Sequence, residues 1–373
     1  MERSTDIIVS GHLCLDLIPM MDHIRLSELP APGHLFEVGP MSFSTGGAVS
    51  NTGLALHKLG VNVALMSNVG DDLISRLILA FLESRDPSLT QYIRAKSGQA
   101  SSYTLVLSPE RVDRIFLHCT GTNAAFTSHD LDYKVIAQAK MLHLGYPPLL
   151  PALTLDGGQE LSRLFERAKT VGVITSLDTS LPDTAGSVSQ VDWRNVLART
   201  LPFVNIFVPS LEEILFMLRP EDYVRWYKEP LAHVTAAYLD NLADELLQMS
   251  RAAVVGFKLG EFGIYLCGAQ KDRFTSLRRL PIDPAAWAER RVWHPAFKVK
   301  VAGTTGAGDS AYAGLLTAIL KGLSLEDAAR WACAVGACNV EAVDATSGIQ
   351  NWEATQRRLD LGWEVMGFRP QGF

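Results

Sequence analysis

Residues 301–316 read VAGTTGAGDSAYAGLL. Positions 303–308 hold three glycines and two threonines, and Asp309 follows at once. FKVKVAG (297–303) reads as a strand, and the small-residue run from Gly306 to Leu320 as a helix. Glycines at a strand-to-helix turn leave backbone N–H groups uncovered, and the helix N-terminus adds positive potential, so this turn is an anion site. No lysine follows Gly308, which removes the P-loop pattern GxxxxGK[ST]. Gly306, Gly308 and Ala311 spell GxGxxA, with Glu326 at the distance a dinucleotide fold would use. That fold needs a strand there, however, whereas SLEDAARWACAVGACNV (324–340) has helical spacing and a Ser324/Asp327 capping pattern. An aspartate directly behind an anion hole lies within reach of a hydroxyl aimed at a phosphate. Phosphoryl transfer uses such a carboxylate to accept the hydroxyl proton. A plain helix cap is the other use that spacing alone leaves open for Asp309.

Outward from this loop, apolar runs alternate with helical patterns. DIIVSG (6–11), NVALMSNVG (62–70), KMLHLG (140–145), GVITSLD (172–178), IFVPS (206–210) and AAVVGFKLG (252–260) read as strands, with helices over 48–59, 72–84 and 157–171 between them. Buried strands alternating with helices predict one α/β domain over 1–373, with a mostly parallel sheet flanked by helices. HLCLDLIP (12–19) with LFEVGPMSFS (35–44), and a hairpin over 101–119 turning at Ser108–Arg111, predict a small antiparallel β lid. The charged, Trp- and Pro-bearing stretches 217–250 and 268–298 fit no element, and the second reads as a surface insertion.

Composition limits the function classes. The chain has 34 Lys+Arg against 40 Asp+Glu with the signs mixed, so no basic stripe points to nucleic acid. Its five cysteines are scattered without a CxxC pair, which favours free thiols in a reducing compartment. Asp6 and Asp16 interrupt the N-terminal apolar stretch, and no run approaches a membrane span. A cytoplasmic protein is the expectation. None of the nine histidines has metal-ligand spacing, and His57 and His118 read as structural.

A second glycine motif stands near the start: STGGAVSNTGLALHKLG (44–60). Gly46 and Gly47 would let a polyol lie against backbone N–H groups, and Asn51 in the following helical turn offers both a donor and an acceptor. Asp16, in an otherwise apolar strand, would accept two hydroxyl hydrogen bonds. GTTGAGDSAYAGLL closely resembles the C-terminal signature of the ribokinase family, the phosphofructokinase-B type of carbohydrate and nucleoside kinases, and 44–60 resembles its N-terminal motif. The resemblance covers residues 6 to about 348.

That resemblance implies a ribokinase-like fold and an ATP-dependent kinase acting on a hydroxymethyl group of a small sugar. It gives Asp309 the role of base and Gly306, Ala307 and Gly308 the anion hole. Asp16, Gly46, Gly47 and Asn51 go to the sugar, and Lys258, Gly260, Gly263 and Asn339 to the nucleotide. Glu213 would hold Mg²⁺ through water. A monovalent cation such as K⁺ and a homodimer joined through the lid are further implications. Two positions depart from the family pattern: Ser210 stands where an asparagine is usual, and Gly303 where an aspartate is usual. A nucleoside kinase, a sugar- or nucleotide-binding protein without turnover, and an NAD-dependent oxidoreductase are the alternatives.

Overall fold

The computed structural model describes residues 5–21, 24–25, 33–109, 115–183, 186, 188–226 and 230–373. In chain order the strands are β1 (Ile7–Gly11), β2 (Cys14–Pro19), β3 (Met41–Gly46), β4 (Val63–Gly70), β5 (Tyr92–Lys96), β6 (Tyr103–Leu107) and β7 (Ile115–Cys119). They continue as β8 (Met141–Gly145), β9 (Ile174–Asp178), β10 (Ile206–Phe207), β11 (Val254–Lys258), β12 (Ile264–Gly268) and β13 (Arg291–His294). The large sheet runs β13-β12-β11-β10-β9-β8-β1-β4-β5. It is parallel except at β12 and β13.

Each inner strand is apolar on both faces because helices cover both. Ile7 and Val9 of β1 join one core with the helices Ala48–Lys58, Ala307–Leu320 and Leu325–Asn339. Ile8 joins the other core with Gln159–Thr170 and Ala236–Met249. This accounts for the apolar runs of β1 and β11, while β8 and β9 bury the hydrogen-bonded pair His143 and Ser176 among their apolar residues.

The lid is a four-stranded sheet of order β3-β2-β6-β7. Its outer pairs are antiparallel and its central β2–β6 pair is parallel, because β2 and β6 both leave the body in the same direction. β3 begins at Met41, six residues later than the segment 35–44 predicts, and runs on to Gly46. The predicted hairpin turn lies partly outside the described residues, at Glu110 and Arg111.

Two sequence expectations fail. Residues 297–303 form no strand; β13 ends at His294, before Pro295, which has no N–H to continue a ladder. The alternating Phe297, Val299 and Val301 line a pocket instead of a sheet face. The stretch 268–298 is no surface insertion either. Phe274, Leu277 and Trp287 in it are buried, and β13 closes the sheet edge. Stretch 217–250 contributes the helix Ala236–Met249, whose Leu239, Leu242 and Leu246 are buried. Among the described residues no helix is long and apolar enough to cross a membrane.

Candidate active site

β1, β8 and β9 end side by side at Gly11, Gly145 and Asp178, and β11, one strand further on past β10, ends at Lys258. This carboxyl edge is where open α/β sheets bind ligands, since the loops that leave it diverge. From Gly11 the chain passes through His12 into the lid, which hangs over this edge. Helix Ala48–Lys58 and helix Ala307–Leu320 point their first turns into the same space.

The glycine pair explains itself by what it faces. A Cβ on Gly46 would lie 2.4 Å from Asp16 Oδ2, and one on Gly47 the same distance from His12 Nδ1. Any larger residue would displace the two polar groups that stand on this floor. Gly47 also has φ 86°, which favours glycine. Asp16 belongs to the lid face that carries Ser44, Thr104 and His118 in one row across the strands. Thr104 Oγ1 and His118 Nδ1 are 3.0 Å apart. Burial first, then the charge of His118, lowers His12 to about 3, so its ring is neutral.

Asp309 is 2% exposed in the first turn of its helix. Gly306, φ 71°, is the N-cap residue there. The Asp309 carboxylate does not cap. Asn51 Nδ2 donates to its Oδ2 (3.0 Å), Thr52 Oγ1 to its Oδ1 (3.2 Å), and the Tyr146 hydroxyl to its Oδ2 (2.6 Å). Asn51, which the sequence reading gives to the sugar, therefore also holds the carboxylate. Of the expected anion-hole donors, the Ala307 N–H is engaged with the Thr304 carbonyl (3.2 Å), while Gly308 lies under Lys258 Nζ.

Two residues at this edge escape a reading of single motifs: Tyr146 and Asp178. Tyr146 follows β8 in GYPP, and its φ of 64° turns the phenol toward Asp309. Burial and the Asp309 charge hold the phenol well above the ordinary tyrosine range, so it stays a donor. Asp178 ends β9, and Lys258 Nζ donates to both of its oxygens at 2.7 Å. Burial, with Glu213 and Asp309 adding to it, pushes the Asp178 carboxyl upward, while the Lys258 ammonium that donates to both of its oxygens favours the ionised form. Burial disfavours the Lys258 charge, yet Asp178, Glu213 and Asp309 together keep its ammonium above the usual lysine value. The available signal is positional: each residue ends or follows a buried parallel strand.

Ser210 and Glu213 form a capping box, and Glu213 Oε2 accepts from the Ser210 N–H and the Thr179 hydroxyl, both at 2.8 Å. Ser210 thus does structural work at the position where the family pattern has asparagine. Gly303 has a reason of its own. A Cβ there would lie 2.7 Å from the Val343 carbonyl oxygen, so the loop over it leaves no room for an aspartate.

Beyond the loop lies a cavity of about 420 Å³ lined by Lys258, Gly260, Gly263, Ala307 and Gly308 at one end and by Val299, Val301, Ala337 and Val340 along its walls. Asn339 does not line it. Its side chain turns the other way, buried, and donates to the Ala345 carbonyl at 2.5 Å. Among the described residues no group of three or more His, Cys, Asp or Glu could ligate a metal directly.

The model of the pfkB family carbohydrate kinases matches residues 4–352. The chain belongs to that family. It is 27% identical over 344 residues to a 2-dehydro-3-deoxygluconokinase of Bacillus subtilis, covering 91% of this chain and 94% of the other. It is 23% identical over 370 residues to the probable chloroplastic fructokinase-6 of Arabidopsis thaliana, covering 96% and 83%. In fold this kinase is similar to Arabidopsis thaliana ribokinase solved with ribose and ATP, at a TM-score of 0.73 and 17% identity over 95% of this chain and 99% of that one. The kinase thus has the large, mostly parallel sheet and the smaller lid sheet of ribokinase-like proteins.

Proposed function

We propose that this kinase transfers the γ-phosphate of ATP to a hydroxymethyl group of a small sugar, with Asp309 as the base. The observation that carries this is the position of the Asp309 carboxylate. It is buried at a helix N-terminus, between the polar floor of Asp16, Gly46 and Gly47 and the cavity that ends at Lys258. The acceptor lies on that floor, where Asp16 takes two of its hydroxyl hydrogen bonds and Asn51 contacts a third. Asp309 accepts the proton of the attacking hydroxyl, and the N–H groups at Gly306 and Gly308, joined by that of Ala307 when it leaves the Thr304 carbonyl, stabilise the charge gathering on the transferred phosphate. ATP suits the cavity, whose apolar walls fit a base and whose Lys258, Gly260 and Gly263 end fits phosphates. Lys258 presents its charge there because Asp178 holds it from below.

The donor set at Glu213 fits magnesium, which keeps several waters and needs only one or two carboxylates when the substrate supplies phosphates. Mg²⁺ would supply neutralisation of the triphosphate charge. A role for K⁺ beside the 303–306 loop is tested by comparing rates in K⁺ and Na⁺ at equal ionic strength. The dimer reading rests on the lid. Phe43, Leu17, Leu105 and Leu117 form one row across it, with Phe43 51% and Leu117 53% exposed. Light scattering of wild type and Phe43→Ser tests it. The reading of a cytoplasmic enzyme rests on the five cysteines, all free thiols, and is tested by cell fractionation.

The deciding experiment is ADP release from ATP and Mg²⁺ across fructose, ribose, 2-dehydro-3-deoxygluconate and nucleosides. Turnover dependent on a sugar supports the proposal. Turnover on nucleosides alone makes it a nucleoside kinase, and ATP binding without turnover on any acceptor makes it a binding protein.

A further inference from the structure

The family match ends at residue 352, and the chain continues through helix Trp352–Asp360 into an extended segment, 361–373. That segment crosses the mouth of the cavity described above. The Trp363 indole N–H donates to the Lys298 carbonyl (3.0 Å), and its ring stacks on Phe297 at 4.7 Å. The Lys298 N–H donates to the Glu364 carbonyl and the Met366 N–H to the Ala296 carbonyl, each at 2.8 Å, with Val365 bridged to Phe297 between them. Phe368 then stacks on Phe262 at 3.8 Å, on the β11–β12 turn whose Gly260 and Glu261 line the cavity. Gln371 and Phe373 anchor the far end, on the Ala236 N–H and between Tyr265 and Trp293.

We infer that residues 361–373 form a strap that makes the outer wall of the nucleotide pocket, and that Met366 is a nucleotide-binding residue packed against the purine base. This rests on the reading of the cavity as the ATP site. Met366 lines the cavity beside Ala296 and Phe297 and opposite Ala332, Cys333 and Ala337 of helix Leu325–Asn339. A flexible thioether against apolar helix residues suits the flat, polarisable face of a base. Without the strap that face of the pocket would open to water. Leu361, Glu364, Val365, Gly367 and Phe368 are all exposed, so the strap is held by its aromatic anchors and a short ladder rather than by a core of its own. It therefore sets nucleotide affinity separately from the acceptor floor, on the far side of Asp309.

The test is ADP binding by calorimetry to the full chain, with acceptor kinetics alongside. Met366→Glu places a charge in the wall and should weaken ADP at least tenfold while leaving the acceptor KM within about twofold. Met366→Leu should keep wild-type affinity, and Phe368→Ala, which frees an anchor outside the cavity, should weaken ADP several-fold. Val301→Glu serves as the reference. Val301 lines the same cavity from the body of the protein and is 59% exposed, so the change is tolerated by the fold. If Val301→Glu weakens ADP and Met366→Glu does not, the strap inference is overturned and the pocket reading stands. If neither does, the pocket is not the nucleotide's and both fall.

Discussion

Replacing Asp309 by asparagine separates chemistry from structure better than any other single change in this protein. The new side chain has the same shape but cannot take a proton. The loss of a positioned base predicts a fall in kcat of about 10²–10⁴-fold, or about 3–5 kcal/mol in the barrier. The structural cost works out small. The Thr52 and Tyr146 hydroxyls that donate to Asp309 can rotate to suit an amide. Asn51 donates through Nδ2 while its Oδ1 is buried without a partner, so turning the amide over offers that oxygen to the new NH₂ group. The change also removes a negative charge that helps push up Asp178. Stability should therefore stay within about 1 kcal/mol of wild type or rise. The assay is coupled ADP release under saturating substrates, with thermal melts and ADP binding of the same preparations. If the variant keeps turnover within tenfold, Asp309 is not the base. If turnover is lost together with a large drop in the melting midpoint, the carboxylate is a structural tie and the reasoning fails.

Tyr146→Phe removes the 2.6 Å bond to Asp309 but keeps the ring, so kcat should drop by about tenfold with the KM for ATP unchanged, read from initial rates. Lys258→Met leaves Asp178 buried without its partner and should cost about 3–5 kcal/mol in denaturant unfolding, and adding Asp178→Leu should recover most of that stability. Burial lowers both His12 and His143 to about 3, with His118 and Lys258 adding to it respectively, so between pH 6.5 and 3 the unfolded chain binds protons that the native state excludes. Stability should fall as pH drops through that window, and His143→Gln should make the acid-side slope of the melting profile shallower by about one proton. Gly303→Asp, which restores the residue usual in the family, should destabilise by about 1–3 kcal/mol because its Cβ meets the Val343 carbonyl, as a melting midpoint will show.

The elements most legible in the sequence are those whose reason is local. β1 and β11 show as apolar runs because helices cover both their faces. The helices Ala48–Lys58 and Ala307–Leu320 show through the glycines before them, and the anion loop and Asp309 can be read from one stretch of sixteen residues. Residues 297–303 mislead because alternating apolar side chains can line a pocket as well as a sheet. Stretch 268–298 misleads because Trp287 is buried by partners far away in the chain, its indole N–H donating to the Leu323 carbonyl.

Sequence alone thus determined the fold class, the two glycine motifs and the carboxylate between them, since each depends on residues within one turn or one strand. Tertiary structure decided what surrounds that carboxylate. Tyr146, Asn51 and Thr52 reach Asp309 across 163, 258 and 257 residues of chain, and Lys258 reaches Asp178 across 80. Tertiary structure also sent Asn339 away from the pocket and brought Met366 into it. Such contacts leave no periodic trace in the sequence, because they are set by which strand ends become neighbours when the sheet forms.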